Sequence, residues 1–286
     1  LTDRALQFIK EHRARPFFLF LSHWDVHSPR RARERVVARY RAKLVRLPAP
    51  ERKNFDPVYA AMIEAVDTSV GRIVEKIDEL GLAKKTLIVF TSDNGGLPSV
   101  SQLEPLRGQK GSLFEAGTRV PACARWTDTI SPGAVCETPI TSVDYLPTFA
   151  QLAKADLPTS QPVDGVDVSP LLLGETIAER SIFWHYPLYL SGRGLTIDVP
   201  GGTTSSWRGF PSTSVRHGRW KAIHYLASET FQLFDLKSDP GELTDVSDRF
   251  PEIAQSLHRE IRHWQRDVSA PIPTLLNPQC ILPATK

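Results

Sequence analysis

Hydrophobic and polar positions along the chain change period several times, and each change predicts an element. Leu6, Phe8 and Ile9 lead from a Thr2 cap towards Arg15 and Pro16, which predicts a first helix that stops where the pattern breaks. Residues 16–21, Pro-Phe-Phe-Leu-Phe-Leu, form a continuous apolar run of the kind found in strands covered on both faces. The run opens into a polar cluster, His23-Trp-Asp-Val-His27-Ser-Pro29. From Tyr59 the apolar positions Met62, Ile63, Val66, Val70, Ile73, Val74, Ile77 and Leu80 recur at three- and four-residue steps, and Gly81 is placed to close the helix. A second buried strand, residues 86–91, ends in Ser92-Asp93-Asn94-Gly95-Gly96.

Strand, helix, strand in that order predicts a right-handed crossover in a mostly parallel sheet flanked by helices. The clusters around His27 and Asp93 then share the carboxyl edge of the sheet, where α/β folds place their chemistry. Residues 97–112 read as a loop, 119–126 as a further strand, and Asp144 as the cap of a helix through Leu152. Pro and Gly crowd residues 158–209, an irregular stretch with short elements. Beyond it, residues 214–225 and 231–235 alternate as antiparallel strands do, and Pro251 opens an amphipathic helix with Ile253, Leu257, Ile261 and Trp264. The expected organisation is α/β: residues 1–175 belong to a large α/β domain, and residues 176–286 hold an irregular connection and a small α+β subdomain.

An apolar share of 41% fits a folded globular chain. Lys and Arg number 35 against 32 Asp and Glu, and the net charge of +3 does not suggest a nucleic-acid partner. The most basic stretch, Arg30 to Arg46, reads as the polar face of a helix; as a rim beside an anion site it would also attract an anionic substrate. No apolar run approaches the ~20 residues needed to cross a bilayer, and no signal-peptide pattern opens the chain. Cys123, Cys136 and Cys280 follow no metal-ligand spacing and cannot all pair with one another. Residue 1 is Leu, so the chain is expected to begin inside a longer protein.

Three groups carry candidate chemistry. Asp93 and Asn94, at the mouth of a buried strand and followed by two glycines, offer carboxylate and amide oxygens suited to calcium; the same four residues are also good turn formers. Lys110, in Arg107-Gly-Gln-Lys-Gly111, has small neighbours that leave its ammonium open to an oxyanion, or simply to solvent. His27 could donate a proton to a leaving oxygen, or serve as a hydrogen-bonded structural histidine.

Taken together, His27-Ser-Pro29, the long helix, Asp93-Asn-Gly95, Gly108-Gln-Lys-Gly111 and Phe114-Glu-Ala-Gly-Thr-Arg-Val-Pro121 resemble the second half of type I, formylglycine-dependent sulfatases of the alkaline phosphatase superfamily. The resemblance continues through Thr141 to Thr148, Asp164 to Leu172, Phe183 to Pro187 and Leu233 to Glu242, covering almost the whole chain. It implies an alkaline-phosphatase-like sheet and a sulfuric ester hydrolase acting on sulfated carbohydrates or aryl sulfates. It also implies Ca2+ on Asp93 and Asn94, sulfate contact by Lys110, His27 beside the leaving oxygen, and His185 near the substrate. The resemblance further implies attack on sulfur by a hydrated formylglycine, and a periplasmic or secreted setting.

No Cys or Ser in the 286 residues stands in the Cys-x-Pro-x-Arg pattern, or its Ala or Ser equivalents, that becomes formylglycine. The expectation is therefore a chain that holds half of the calcium ligands and is inactive alone. Exposed sheet edges and poor solubility are expected with it. The competing readings are a phosphoester or phosphonate hydrolase of the same superfamily, and a noncatalytic binder of sulfated glycans.

Overall fold

The computed structural model describes residues 1–52, 55–191 and 207–274; Cys280 and part of the expected irregular connection lie outside them. The long helix α4 (Pro57–Glu79) organises the first half. Its N-cap, Asp56, accepts from the amides of Val58 (2.8 Å) and Tyr59 (3.0 Å), and Pro57 occupies the first turn, where a missing N–H costs nothing. Helix α1 (Thr2–His12) buries Ala5 and Ile9, one turn apart, and α2 (Glu34–Arg46) buries Val37; both pack on α4. Leu1, not Thr2, is the N-cap of α1; the Thr2 hydroxyl instead meets Ser69 of α4 at 2.7 Å. A short helix α3 (Ala49–Arg52) precedes α4.

Strand β1 (Ile88–Thr91) follows α4 as the pattern predicts and pairs antiparallel with β2 (Ala122–Arg125), after the single-turn helix α5 (Glu115–Thr118). Residues 16–21 pair with no strand among the described residues; Phe18 and Phe20 stand 69% and 79% exposed. An apolar run specifies a wish to be covered, and only a partner decides whether it becomes a strand.

Helix α6 (Tyr145–Ala153) follows Asp144, which does more than cap. Fully buried, its carboxylate accepts from the amides of Thr141 (2.7 Å) and Val166 (3.1 Å) and pairs with Arg180. A short helix α7 (Ser169–Leu172) leads into β3 (Ser181–Tyr186), a strand inside the stretch expected to be irregular, and then β4 (Leu190–Ser191) pairs with β5 (Trp207–Gly209).

The expected C-terminal sheet is present with β3 at its edge: β3, β6 (Ser212–His217), β7 (Trp220–Tyr225) and β8 (Thr230–Asp235), antiparallel and in that order. Both faces are covered. Ala222 and Leu233 meet Ala254, Leu257 and Ile261 of helix α8 (Pro251–Asp267). Ile223, Tyr225 and Phe234 meet Phe114, which precedes α5. That second core joins residues on either side of position 175.

Candidate functional site

The turn after β1 makes two backbone hydrogen bonds, one to α5 and one to the loop carrying Lys110. Gly95 N donates to Gly117 O (3.0 Å), and Lys110 N donates to Gly96 O (2.8 Å). The approach is so close that a Cβ on Gly95 would lie 1.8 Å from Ala116 O, and one on Gly117 would lie 2.1 Å from Ser112 O. Within the turn, Ser92 Oγ donates to Asn94 O (3.1 Å) and Asn94 Nδ2 donates to Gly95 O (3.0 Å). With its amide nitrogen engaged, Asn94 keeps the side-chain oxygen as an acceptor. Asp93 is exposed, and Asn94 and Lys110 are half-buried. Main-chain geometry thus sets the Lys110 amide against Gly96, two residues past Asn94 and three past Asp93.

Lys110's loop is anchored from behind by a buried charge cluster that sequence reading missed. Lys221 on β7, with no exposed surface, lies 2.8 Å from Glu115 Oε1 and 3.1 Å from Glu242 Oε1. Glu242 Oε2 in turn accepts from Glu115 N (2.6 Å), and Arg216 Nη1 stands 3.8 Å from Glu115 Oε2. Burial pushes the Glu242 carboxyl above its usual range, while the Lys221 charge pulls it back. Arg107, at the start of the loop, donates to Glu242 O (2.9 Å) and lies over the Phe114 ring at 4.2 Å. The signal available in the sequence was a lysine inside an otherwise core-like strand: along β7, Lys221, Ile223 and Tyr225 share the face turned to Phe114.

His27 lies on the segment that reaches α4 from the other side. His23 Nε2 is 3.5 Å from Ser69 Oγ, and Arg30 pairs with Asp56 at the N-terminus of α4, so the exposed His27 is held between two anchors on that helix. Its Nδ1 faces Ser28 O at 3.0 Å, which leaves Nε2 outward. On the Asp93 side, Ser101 Oγ donates to Tyr59 OH (3.4 Å) in the first turn of α4. Both polar segments are therefore tied to one helix, at its N-cap, its first turn and its middle.

His185 lies apart, on β3. Its Nδ1 meets Thr213 Oγ1 (2.8 Å), its Nε2 meets Pro271 O (3.0 Å), and its ring leans on Trp264 with centroids 6.1 Å apart. Both ring nitrogens are engaged within the protein, the arrangement of a packed structural histidine. The remaining polar residues of these stretches behave likewise: His23 meets α4, and Arg119 N closes the turn of α5 on Glu115 O at 2.7 Å.

As a calcium site, Asp93 and Asn94 fit in kind and not in number. Their oxygens are hard donors, but calcium takes six to eight, and the described residues hold no cluster of three or more His, Cys, Asp or Glu able to grip an ion. No described helix is long and apolar enough to cross a membrane.

Residues 1–155, which carry the turn and the lysine loop, match the family model described as Sulfatase. This chain belongs to the sulfatase family. The sulfatase match is complemented by a second model, N-sulphoglucosamine sulphohydrolase, C-terminal, over residues 109–267, which spans the buried charge cluster. Among curated relatives of this sulfatase chain, mouse steryl-sulfatase is 35% identical over 91% of the chain and 42% of the relative. A sulfatase of Formosa agariphila is 28% identical over 95% of the chain and 50% of the relative. The crystal structure of Ps i-CgsB in complex with k-i-k-neocarrahexaose superposes with a TM-score of 0.75 at 27% identity, covering 97% of this chain and 56% of that one. The α/β alkaline-phosphatase-like fold follows from these structural likenesses. The chain spans about half the length of the relatives it matches.

Proposed function

We propose that this chain contributes to a sulfuric ester hydrolase site, with Asp93 and Asn94 as calcium ligands, Lys110 as the sulfate-binding cation and His27 as proton donor to the leaving oxygen. The observation that carries the reading is the backbone hydrogen bond from Lys110 N to Gly96 O, which sets the Lys110 loop against the turn that carries Asp93 and Asn94. A calcium ion held there would supply charge to polarise the sulfate oxygens. The Lys110 ammonium binds an oxygen whose negative charge grows as the ester bond breaks, and its fixed backbone keeps that stabilisation preorganised. His27, with Nε2 not engaged by Ser28, gives a proton to the departing alcohol.

The formylglycine nucleophile is not among these 286 residues, since no Cys or Ser here carries the required neighbours, and Asp93 and Asn94 supply only part of a calcium shell. The oligosaccharide bound to the 27% identical neighbour supports a carbohydrate sulfate as the substrate class, and a periplasmic or secreted setting belongs to the same reading. His185 takes a structural role.

Sulfate release from an aryl sulfate, with and without calcium, tests the proposal on the 286-residue chain and on the product of the gene's full reading frame. Turnover is expected only from the latter, and Lys110→Ala should lower it by about 100-fold or more. Calcium-dependent turnover by the 286 residues alone would overturn the division of roles, and faster phosphoester than sulfate-ester turnover would overturn the reaction class.

A further inference from the structure

The basic segment beside the site has a geometry that a generic solvated helix face does not need. Residues 30–46 carry eight cations and one anion, whereas the rest of the chain holds 27 cations against 31 anions, so the positive charge is concentrated here. Val37, buried, and the half-buried Tyr40 and Leu44 form the inner face of α2. At about 100° per residue, Arg35, Arg39, Lys43 and Arg46 fall within an arc of roughly 80° beside that inner face, and they extend about 16 Å along the axis. All four are exposed. Arg39 pairs with Glu64 of α4, which ties the middle of the stripe down. Arg35, Lys43 and Arg46 form no ion pair among the described residues, while Arg41 on the far side pairs with Glu34. Arg30, which opens the segment, pairs with Asp56 at the end of α4 where Ser101 also docks. The segment that carries the stripe and the loop that carries Ser101 thus both contact the start of α4, and the stripe begins eight residues downstream of His27.

We infer that Arg35, Lys43 and Arg46 form a docking stripe for a sulfated polysaccharide, whose further sulfates bind along α2 while one ester occupies the Asp93–Lys110 site. Cations about one or two helical turns apart suit a linear polymer with repeating anionic groups, and a small sulfate ester with no second anionic group would leave them unused. The inference rests on the sulfatase reading for the chemistry of the anion. The two fail separately, because docking on α2 is scored by binding without turnover.

The test is titration of the 286-residue chain with a fluorescently labelled dextran sulfate oligosaccharide, by anisotropy, across a salt series. Arg35→Gln/Lys43→Gln/Arg46→Gln should weaken binding at least tenfold at about 0.05 M salt and flatten the dependence of log K on log salt, as fewer counterions are released. Lys10→Gln/Lys85→Gln/Lys237→Gln, which removes equal charge from other exposed positions, should leave binding within twofold. The single change Lys43→Glu, on an exposed side chain, guards against misfolding of the triple variant and should also weaken binding. Equal loss in both triple variants, no loss with Lys43→Glu, or equally tight binding of duplex DNA of matched charge would each overturn the proposal.

Discussion

Lys221 Nζ, on a sheet strand with no exposed surface, lies 2.8 Å from Glu115 Oε1 and so couples the C-terminal sheet to the loop that carries Lys110. Removing one member of a buried charge cluster strands the others, which costs more than the intact pair contributes. Lys221→Ala should therefore destabilise the chain by about 3–5 kcal/mol, a large share of an ordinary domain's total. The combined change Lys221→Met/Glu115→Gln/Glu242→Gln should recover a substantial part of that loss. Denaturant midpoints of the three proteins check both statements, and equal stability of wild type and Lys221→Ala would refute the coupling.

Gly95 is constrained by contact, Gly71 only by its helix. A methyl on Gly95 meets Ala116 O at 1.8 Å, so Gly95→Ala should cost about 1–3 kcal/mol and loosen the Lys110 amide, whose partner is Gly96 O. Gly71 on α4 has nothing within 4 Å, so Gly71→Ala should stabilise by about 0.5–1 kcal/mol. Thermal melts and hydrogen exchange at Lys110 separate the two outcomes.

His224 and His258 form a pair between β7 and α8, with ring centroids 4.8 Å apart. His224 has no exposed surface and neither ring nitrogen makes a hydrogen bond, although Glu229 Oε2 stands 3.3 Å from Nε2. Burial lowers both pKa values from the ordinary 6.5; His258 and Arg262 add to the effect at His224, Arg262 adds to it at His258, and Glu229 opposes it at both. Because the folded values lie below the unfolded one, the unfolded chain takes up protons first. Stability is full above about pH 7 and falls as pH drops through 6.5, by up to about 1.4 kcal/mol per pH unit for each proton. Urea midpoints between pH 8 and 5 measure this, and His258→Phe should flatten the slope.

Asp235 is held at about 2 chiefly by Arg219, whose Nε donates to Oδ1 at 2.6 Å, with further help from Ser238 and the amide of Lys237. Its stabilising contribution is complete above the ordinary value of 3.8 and disappears as pH falls from about 4 towards 2. Arg219→Ala should move the carboxyl titration, followed by NMR, back towards 3.8. An unchanged titration would show that the backbone and Ser238 suffice.

Phe20 is 79% exposed in a run that has no strand partner among the described residues. Phe20→Ser should leave stability within about 0.5 kcal/mol and raise the soluble fraction on expression. A large loss of stability would show that Phe20 is covered in solution.

Apolar spacing at three and four residues, with a proline in the first turn, determined α4 and α8, a continuous apolar run determined β1, and alternation of residue type along 214–235 determined β6 to β8. The motifs determined the family and singled out Asp93, Asn94, Lys110 and His27 as candidates. Contacts between distant segments decided the rest. Residues 16–21 read as a strand and found no partner, and β3 emerged from a Pro-rich stretch because β6 pairs with it. Asp144 became a buried junction between Thr141, Val166 and Arg180 instead of a cap. His185, marked by its motif, had its nitrogens taken by Thr213 and Pro271, 28 and 86 positions away. The Lys221–Glu115–Glu242 cluster showed in the sequence only as a lysine within a core-like strand; which carboxylates it meets depends on which faces of distant segments turn towards each other, and local propensity does not encode that.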